Sequence, residues 1–428
     1  MTDFYNTGLA LAQELDARDE LARFREEFVQ AEPNLIYLDG NSLGRLPIRT
    51  VEHMQQAVEH GWGQRLIRLW NDGWLNAPTD LGGKIARLIG AQPGEVMVAD
   101  STSVNLFKLA VAALKARPGR AKIVSDVFNF PSDLYVLQGV IELLGNHHRL
   151  ELVPSTDSLT VAPQAIAATL DSDTALLSLT HVAFKSAFMY DLATVTAQAH
   201  EAGALTLWDL SHSTGAVPVD LNGAQADLAI GCTYKYLNGG PGAPAFLYVR
   251  KDLQQELRQP IWGWLSAAHP FDFDLDYTPA PDSRRFWVGT PPMLSLKALE
   301  PALDILLEAG MEGIRAKSVR QTEYFIFLAE QWLTPLGFEL GSPRAAAQRG
   351  SHVSLRHSES FRINQALIDA APPAPTVIPD FRAPDNIRFG IAPLYNTFTE
   401  IHRALVRVRE IVITKEYERF STTRSGVT

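Results

Sequence analysis

Between residues 95 and 250 the chain alternates short apolar runs with amphipathic stretches. Runs of strand length cover 95–99, 122–127, 150–153, 175–179, 205–210, 227–233 and 245–249. Between them, 104–115, 132–144, 161–170 and 192–202 carry apolar residues at helical spacing. This alternation predicts an α/β fold with a mostly parallel sheet and helices on both faces. Residues 1 to about 45 read as a helix and an extended arm. At the other end, 314–333 and 398–417 are long helical patterns around short strands at 352–356 and 386–391. A chain of 428 residues exceeds the usual single core. The expected division is a large α/β domain over 46–310 and a small α+β domain built from 1–45 and 311–428.

Two of the apolar runs end on ionisable residues. The first, 205–212, closes on Asp209 and His212, and the second, 227–236, closes on Tyr234 and Lys235. In an open α/β sheet ligands gather at the carboxyl edge of the strands, where these groups would lie. An acid and a lysine on separate strand ends suit pyridoxal phosphate. The lysine can hold the cofactor's aldehyde as a Schiff base, and the carboxylate can keep the pyridine nitrogen protonated. The plain alternative is that such residues solvate a surface or pair with each other. Lys185 follows another apolar run and is a rival lysine, but it lacks a second acidic strand end at a suitable distance upstream. Lys235 is also followed by Gly239-Gly-Pro-Gly-Ala243, where backbone can approach a ligand closely.

A phosphate needs an anion site. Asp100-Ser-Thr-Ser-Val-Asn105 precedes the helix expected from 104 and offers Thr102 and Ser103 beside free N–H groups. Simple N-capping by Ser103 would explain the same residues. In Phe128-Asn-Phe-Pro-Ser-Asp133 an aromatic can stack on the ring, while Ser132 and Asp133 cap the helix or reach the cofactor's polar edge. Tyr234 points away from Lys235 if the strand continues, and could donate to the phosphate or act as an acid.

Composition narrows the class. Lys and Arg number 38 against 48 Asp and Glu, a net charge of −10, with no basic run or basic-aromatic patch. That argues against nucleic acid or an anionic membrane as partner. No apolar stretch is long enough to span a bilayer, and the first residues carry no export signal, so a cytoplasmic protein is expected. The single cysteine, Cys232, can form no internal disulfide and reads as a buried thiol in mid-strand. No repeat and no metal site is expected.

Taken together, eight segments resemble the kynureninases. They are Tyr37-Leu-Asp-Gly-Asn-Ser-Leu-Gly44, Ser103-Val-Asn-Leu106, Phe130-Pro-Ser-Asp133, Trp208-Asp-Leu-Ser-His212, Thr233-Tyr-Lys235, Gly263-Trp264, Gly289-Thr-Pro-Pro292 and Asn386-Ile-Arg-Phe-Gly-Ile-Ala-Pro-Leu-Tyr-Asn396. They occur in the family's order from about 35 to 400. The resemblance implies a fold type I pyridoxal-phosphate enzyme of tryptophan catabolism that converts L-kynurenine and water to anthranilate and L-alanine. It implies Lys235 as the cofactor-bearing lysine and catalytic base, Asp209 as partner of the pyridine nitrogen, and His212 as a neighbour of the cofactor. Phe130 would stack on the ring, Thr102, Ser103, Ser132 and Tyr234 would surround the phosphate, and Asp133 would lie close by. Arg388 would hold the substrate's α-carboxylate, since a guanidinium grips carboxylates with two bonds. Asn41 and Ser42 would also contact substrate.

The family is homodimeric, with Trp264 and Thr290 reaching the cofactor from the other subunit. Some members carry asparagine in place of Thr290 and histidine in place of Trp62. An indole at Trp62 would favour kynurenine over its 3-hydroxy analogue, which is then a slower substrate; a core tryptophan is the alternative. Tyr234 is a candidate proton donor for the last steps. Among rival chemistries, a cysteine desulfurase needs a mobile thiol that Cys232 does not supply. An aminotransferase would use the same Lys, Asp and Arg. A cofactor-binding regulator would need a basic or partner-binding module and would leave Arg388 unexplained.

Overall fold

The computed structural model describes residues 2–30 and 32–423, so Met1, Ala31 and 424–428 of the expected small domain lie outside the described residues. Strand β1 (Leu35–Tyr37) belongs to the N-terminal arm. The central sheet follows: β2 (Val96–Val98), β3 (Lys122–Asp126), β4 (Arg149–Val153), β5 (Thr174–Thr180), β6 (Leu205–Asp209), β7 (Leu228–Gly231) and β8 (Phe246–Val249). Their spatial order is β2-β8-β7-β6-β5-β3-β4. The contacts from β4 through β7 are parallel, and β8 runs antiparallel to both β7 and β2. All seven fall where the apolar runs predict strands.

Strand residues split between two cores by their period of two. Ile123, Leu176, Leu207 and Ile230 pack with helix Thr102–Lys115 on one face. Val124, Leu177, Trp208 and Ala229 pack with helices Ala77–Leu88, Leu192–Glu201 and Met293–Ala309 on the other. Every residue of β3, β5, β6 and β7 is buried, as a sheet covered on both faces requires.

The second sheet and the pairing of the arm come from the C-terminal part: β9 (Glu339–Leu340), β10 (His352–Arg356), β11 (Thr376–Ile378), β12 (Asp380–Arg382) and β13 (Asn386–Gly390). Four of these form an antiparallel sheet in the order β12-β13-β10-β9, while β11 pairs in parallel with β1. A third core joins both chain ends, with Ile36 and Leu38 of the arm against residues of helices Met311–Trp332 and Phe398–Thr414. The latter helix opens on a capping box in which Thr397 Oγ1 accepts from the Glu400 N–H and Glu400 Oε2 accepts from the Thr397 N–H.

Two local expectations are corrected. The sixth apolar run, 227–233, leaves the sheet at Gly231 instead of Thr233, so Cys232 lies just beyond the strand, although it is buried. There the Cys232 N–H donates to Ser211 Oγ (3.2 Å), Thr233 Oγ1 donates to the Pro244 carbonyl (2.6 Å), and the Gly239 N–H returns to the Thr233 carbonyl (2.9 Å). These bonds turn the chain. The helix expected from 104 begins at Thr102 with Ser101 as its cap, not Ser103, because Ser101 is the extended residue whose hydroxyl accepts from the Val104 N–H. No helix among the described residues is long and apolar enough to cross a membrane.

Candidate active site

Strands β6 and β7 are parallel neighbours, and Asp209 at the end of β6 stands opposite Ile230. The turn after β7 then brings Tyr234 and Lys235 over the same sheet edge. A cavity of about 500 Å³ opens there. Its wall contains Lys235, Asp209, His212, Tyr234, Phe130, Ser132, Asp133, Thr102, Ser103, Asn41, Ser42 and Arg388, which the sequence scatters over nearly 350 positions. Tyr234 and Lys235 both line it. The strand alternation that would have separated them has already ended.

The electrostatics of this wall are set by burial. Asp209 is 6% exposed. Its Oδ1 accepts from the Ser211 N–H (2.9 Å) and hydroxyl (2.6 Å). Burial raises its carboxyl pKa, and the Lys235 ammonium pulls in the opposite direction. Asp133 is pushed well up by burial and by the nearby Asp209 charge. Lys235 Nζ is 3.3 Å from His212 Nε2, and burial together with the Lys235 charge holds that imidazole well below its usual pKa. His212 is therefore neutral at pH 7. The Phe130 ring is edge-on to Phe184 at 5.1 Å, with its centroid 6.0 Å from Lys235 Nζ.

The first turn of helix Thr102–Lys115 presents backbone N–H groups without intrahelical partners, beside the Thr102 and Ser103 hydroxyls. Its entry is braced from below. Asp100 has φ +50°, and its Oδ2 accepts from Lys108 Nζ at 2.6 Å. Lys108 is fully buried and also donates to the Phe286 carbonyl (2.7 Å).

These donors fit pyridoxal phosphate. Two buried carboxyls face an amine for a ring bearing a protonatable nitrogen and an aldehyde, an aromatic face adjoins them, and an anion site closes the set.

The arm is seated by a bond from the Gly44 N–H to the Tyr234 carbonyl (2.8 Å), which carries Asn41 and Ser42 into the wall. Arg388, on β13, is 1% exposed, and its two-bond grip is already engaged. Nε donates to Asp380 Oδ1 (2.9 Å) and Nη2 to Asp380 Oδ2 (2.8 Å). Sequence reasoning missed Asp380 and its neighbour Arg382, which also lines the cavity. The signal was present in Asp380-Phe-Arg382, whose alternation puts acid and base on one face of a short strand.

Three candidate residues do not line this cavity. Trp62 is 60% exposed, in a π-helical turn (Ala57–Arg65), so it is not a core tryptophan in this chain. Trp264 is 43% exposed and Thr290 is exposed.

Residues 314–408 match the family model described as the kynureninase C-terminal domain. A kynureninase of Pseudomonas fluorescens is 45% identical over 408 residues, covering 94% of this chain and 95% of that protein. A kynureninase of Burkholderia pseudomallei (strain 1106a) is 44% identical over 421 residues, 97% of this chain and 98% of that protein. Among solved structures, an apo cysteine desulfurase from Thermococcus onnurineus NA1 superimposes with a TM-score of 0.77 at 19% identity, covering 92% of this chain and 98% of that one. A C-DES mutant with glycine covalently linked to its PLP cofactor gives 0.76, also at 19% identity, over 90% and 99%. At that identity the two structures establish the fold, that of the fold type I pyridoxal-phosphate enzymes.

Proposed function

The chain belongs to the kynureninase family, and from that premise we propose that its cavity binds pyridoxal 5'-phosphate and hydrolyses the Cβ–Cγ bond of L-kynurenine, releasing anthranilate and L-alanine. The observation that carries this reading is the convergence of Lys235 Nζ and the buried Asp209 carboxyl on one cavity from adjacent strand ends. When bound, the cofactor supplies an electron sink for charge that develops on the substrate.

The chain's residues do the rest. Lys235 would hold the cofactor through its aldehyde, and its Nζ, when free, would be the base at the substrate's Cα–H. Asp209, one oxygen held by Ser211, would keep the cofactor's ring nitrogen protonated, and Phe130 would face the ring. Thr102, Ser103, Ser132 and Tyr234 hold the phosphate, with Asp133 and His212 alongside. Arg388, Asn41 and Ser42 take the α-carboxylate and so fix the orientation of the Cα bonds. Water adds at the substrate's γ-carbonyl before the Cβ–Cγ bond breaks. Tyr234, which lines the cavity beside Lys235, would be the proton donor in the last steps.

The working unit in this reading is a cytoplasmic homodimer, with Trp264 and Thr290 reaching the partner's site and Trp62 in the aryl pocket. Their exposure in a single chain supports that arrangement. The division into 46–310 and 1–45 with 311–428 belongs to the same reading. An indole at Trp62 offers nothing to an added hydroxyl, which leaves 3-hydroxykynurenine the slower substrate. Desulfuration is disfavoured, because the sole thiol, Cys232, is 4% exposed and burial pushes its pKa up.

The test is to give the holoprotein L-kynurenine and to follow anthranilate fluorescence with alanine quantified in parallel. Equal amounts of the two products, both lost in Lys235→Ala, are expected. A product that retains the Cβ–Cγ bond would overturn the reading in favour of transamination.

A further inference from the structure

An arginine has five N–H donors, and Arg388 has already committed most of them. Nε–H goes to Asp380 Oδ1. The two Nη2 hydrogens go to Asp380 Oδ2 (2.8 Å) and Ser42 Oγ (3.1 Å), and one Nη1 hydrogen goes to the Phe184 carbonyl (2.6 Å). A single Nη1–H is left. Arg388 alone therefore cannot offer an incoming carboxylate a two-bond grip unless Ser42 lets go.

The neighbouring donors are in place. Arg382, two residues from Asp380 on β12, lines the same cavity and forms an ion pair with Asp380, Nη2 lying 2.6 Å from Oδ2. Its Nε is buried without a partner among the described residues, and its side chain is about a third exposed. Asn41 is fully buried in the same wall, with neither amide atom bonded among the described residues. Asp380 stands directly opposite Arg388 in the strand register and is 2% exposed. Its Oδ2 also accepts from the Ser42 hydroxyl (3.2 Å). Asp39, in the arm, is close enough to be perturbed by Asp380 and both arginines.

As a stability device this arrangement is poor. Burying charges costs several kcal/mol per ion, and an apolar pair of similar volume is often at least as stable. As a way of holding two guanidiniums at fixed angles beside an open cavity it makes sense. The side-on pair fixes the plane of Arg388, and the shared oxygen fixes Arg382 next to it.

We propose that Asp380 is a positioning residue for the substrate's α-carboxylate, and that Arg382, held by the same carboxylate, is a second arginine that binds it. This rests on the reading of the cavity as an amino-acid site. The two arginines meet one face of the ligand carboxylate, with the Asn41 amide adding a further donor.

The test compares two ligands of the holoenzyme: L-kynurenine, and the decarboxylated amine of the same aryl ketone as a competitive inhibitor. A charge-assisted hydrogen bond contributes about 1.5–3 kcal/mol, or about 10- to 150-fold in affinity. Arg382→Gln is expected to raise KM for L-kynurenine about 10-fold with kcat little changed, leaving the inhibition constant of the decarboxylated amine unaltered. Asp380→Asn is expected to raise KM further and also to lower kcat, again without weakening the decarboxylated amine. Cofactor absorbance and melting temperature of each variant serve as the check on folding; if Asp380→Asn does not fold, Arg382→Gln decides. An unchanged KM in Arg382→Gln, or equal weakening of both ligands, would overturn the proposal. Failure of the parent protein to cleave L-kynurenine would instead remove the functional reading beneath it.

Discussion

Asp39 sits behind the substrate wall with Oδ1 buried and unpartnered among the described residues. Burial first, and then the Asp380 charge, push its carboxyl up to about 6. A free Asp titrates near about 4, so between about pH 4 and 6 the folded protein binds a proton that the unfolded chain releases. The group therefore costs nothing below that window and destabilises the fold increasingly as pH rises through it, with the penalty complete above about 6. Asp39→Asn is expected to be more stable than the parent at pH 8 by about 1–2 kcal/mol, with the difference gone near pH 4, as measured by urea unfolding at both values. A variant less stable at pH 8 would mean that the Asp39 charge is needed by Arg382 and Arg388. At Asp209 the expectation concerns rate. Asp209→Ala should lower kcat at least about 100-fold under saturating cofactor, whereas a change confined to KM would contradict its place at the ring nitrogen.

The elements deliver these residues, and some of that delivery depends on backbone space. A Cβ on Gly44 would come within 2.3 Å of both Asn238 Oδ1 and the Lys235 carbonyl. Gly44→Ala should therefore unseat the arm, move Asn41 and Ser42, and raise KM for L-kynurenine several-fold while cofactor absorbance persists. An unchanged KM would show that the arm does not set the substrate wall. Ser101→Ala removes the cap of helix Thr102–Lys115. A cost of about 1 kcal/mol in stability is expected, with weaker cofactor retention on dialysis.

Most of the seven central strands were legible because they are apolar runs bounded by turn residues, and β3, β5, β6 and β7 are buried throughout. The lysine and acid were legible because they end such runs. The bend after Gly231 was not, since it depends on Ser211 and Pro244, which reach Cys232 and Thr233 only in the fold. The β1–β11 pairing joins residues about 340 positions apart, which no local pattern reports. Arg388 could be picked out by type, but not the fact that Asp380 already occupies its fork.

For the whole molecule, a single chain leaves Trp62, Ile67, Trp262, Phe271, Phe273 and Leu275 exposed in the two segments 62–67 and 262–275. If Trp264 completes the partner's site, Lys235→Ala and Trp264→Ala should each be impaired alone. Mixed dimers should recover activity, because one of their two sites then holds both native residues. No recovery on subunit exchange would place Trp264 in its own chain's site.

The central claim is that Lys235 carries the cofactor opposite Asp209, and borohydride reduction of the holoprotein followed by peptide mass spectrometry tests it directly. The account predicts a pyridoxyl group on the peptide that contains Lys235 and on no other lysine. A label on Lys185, or no label on a protein that retains its cofactor, would contradict it.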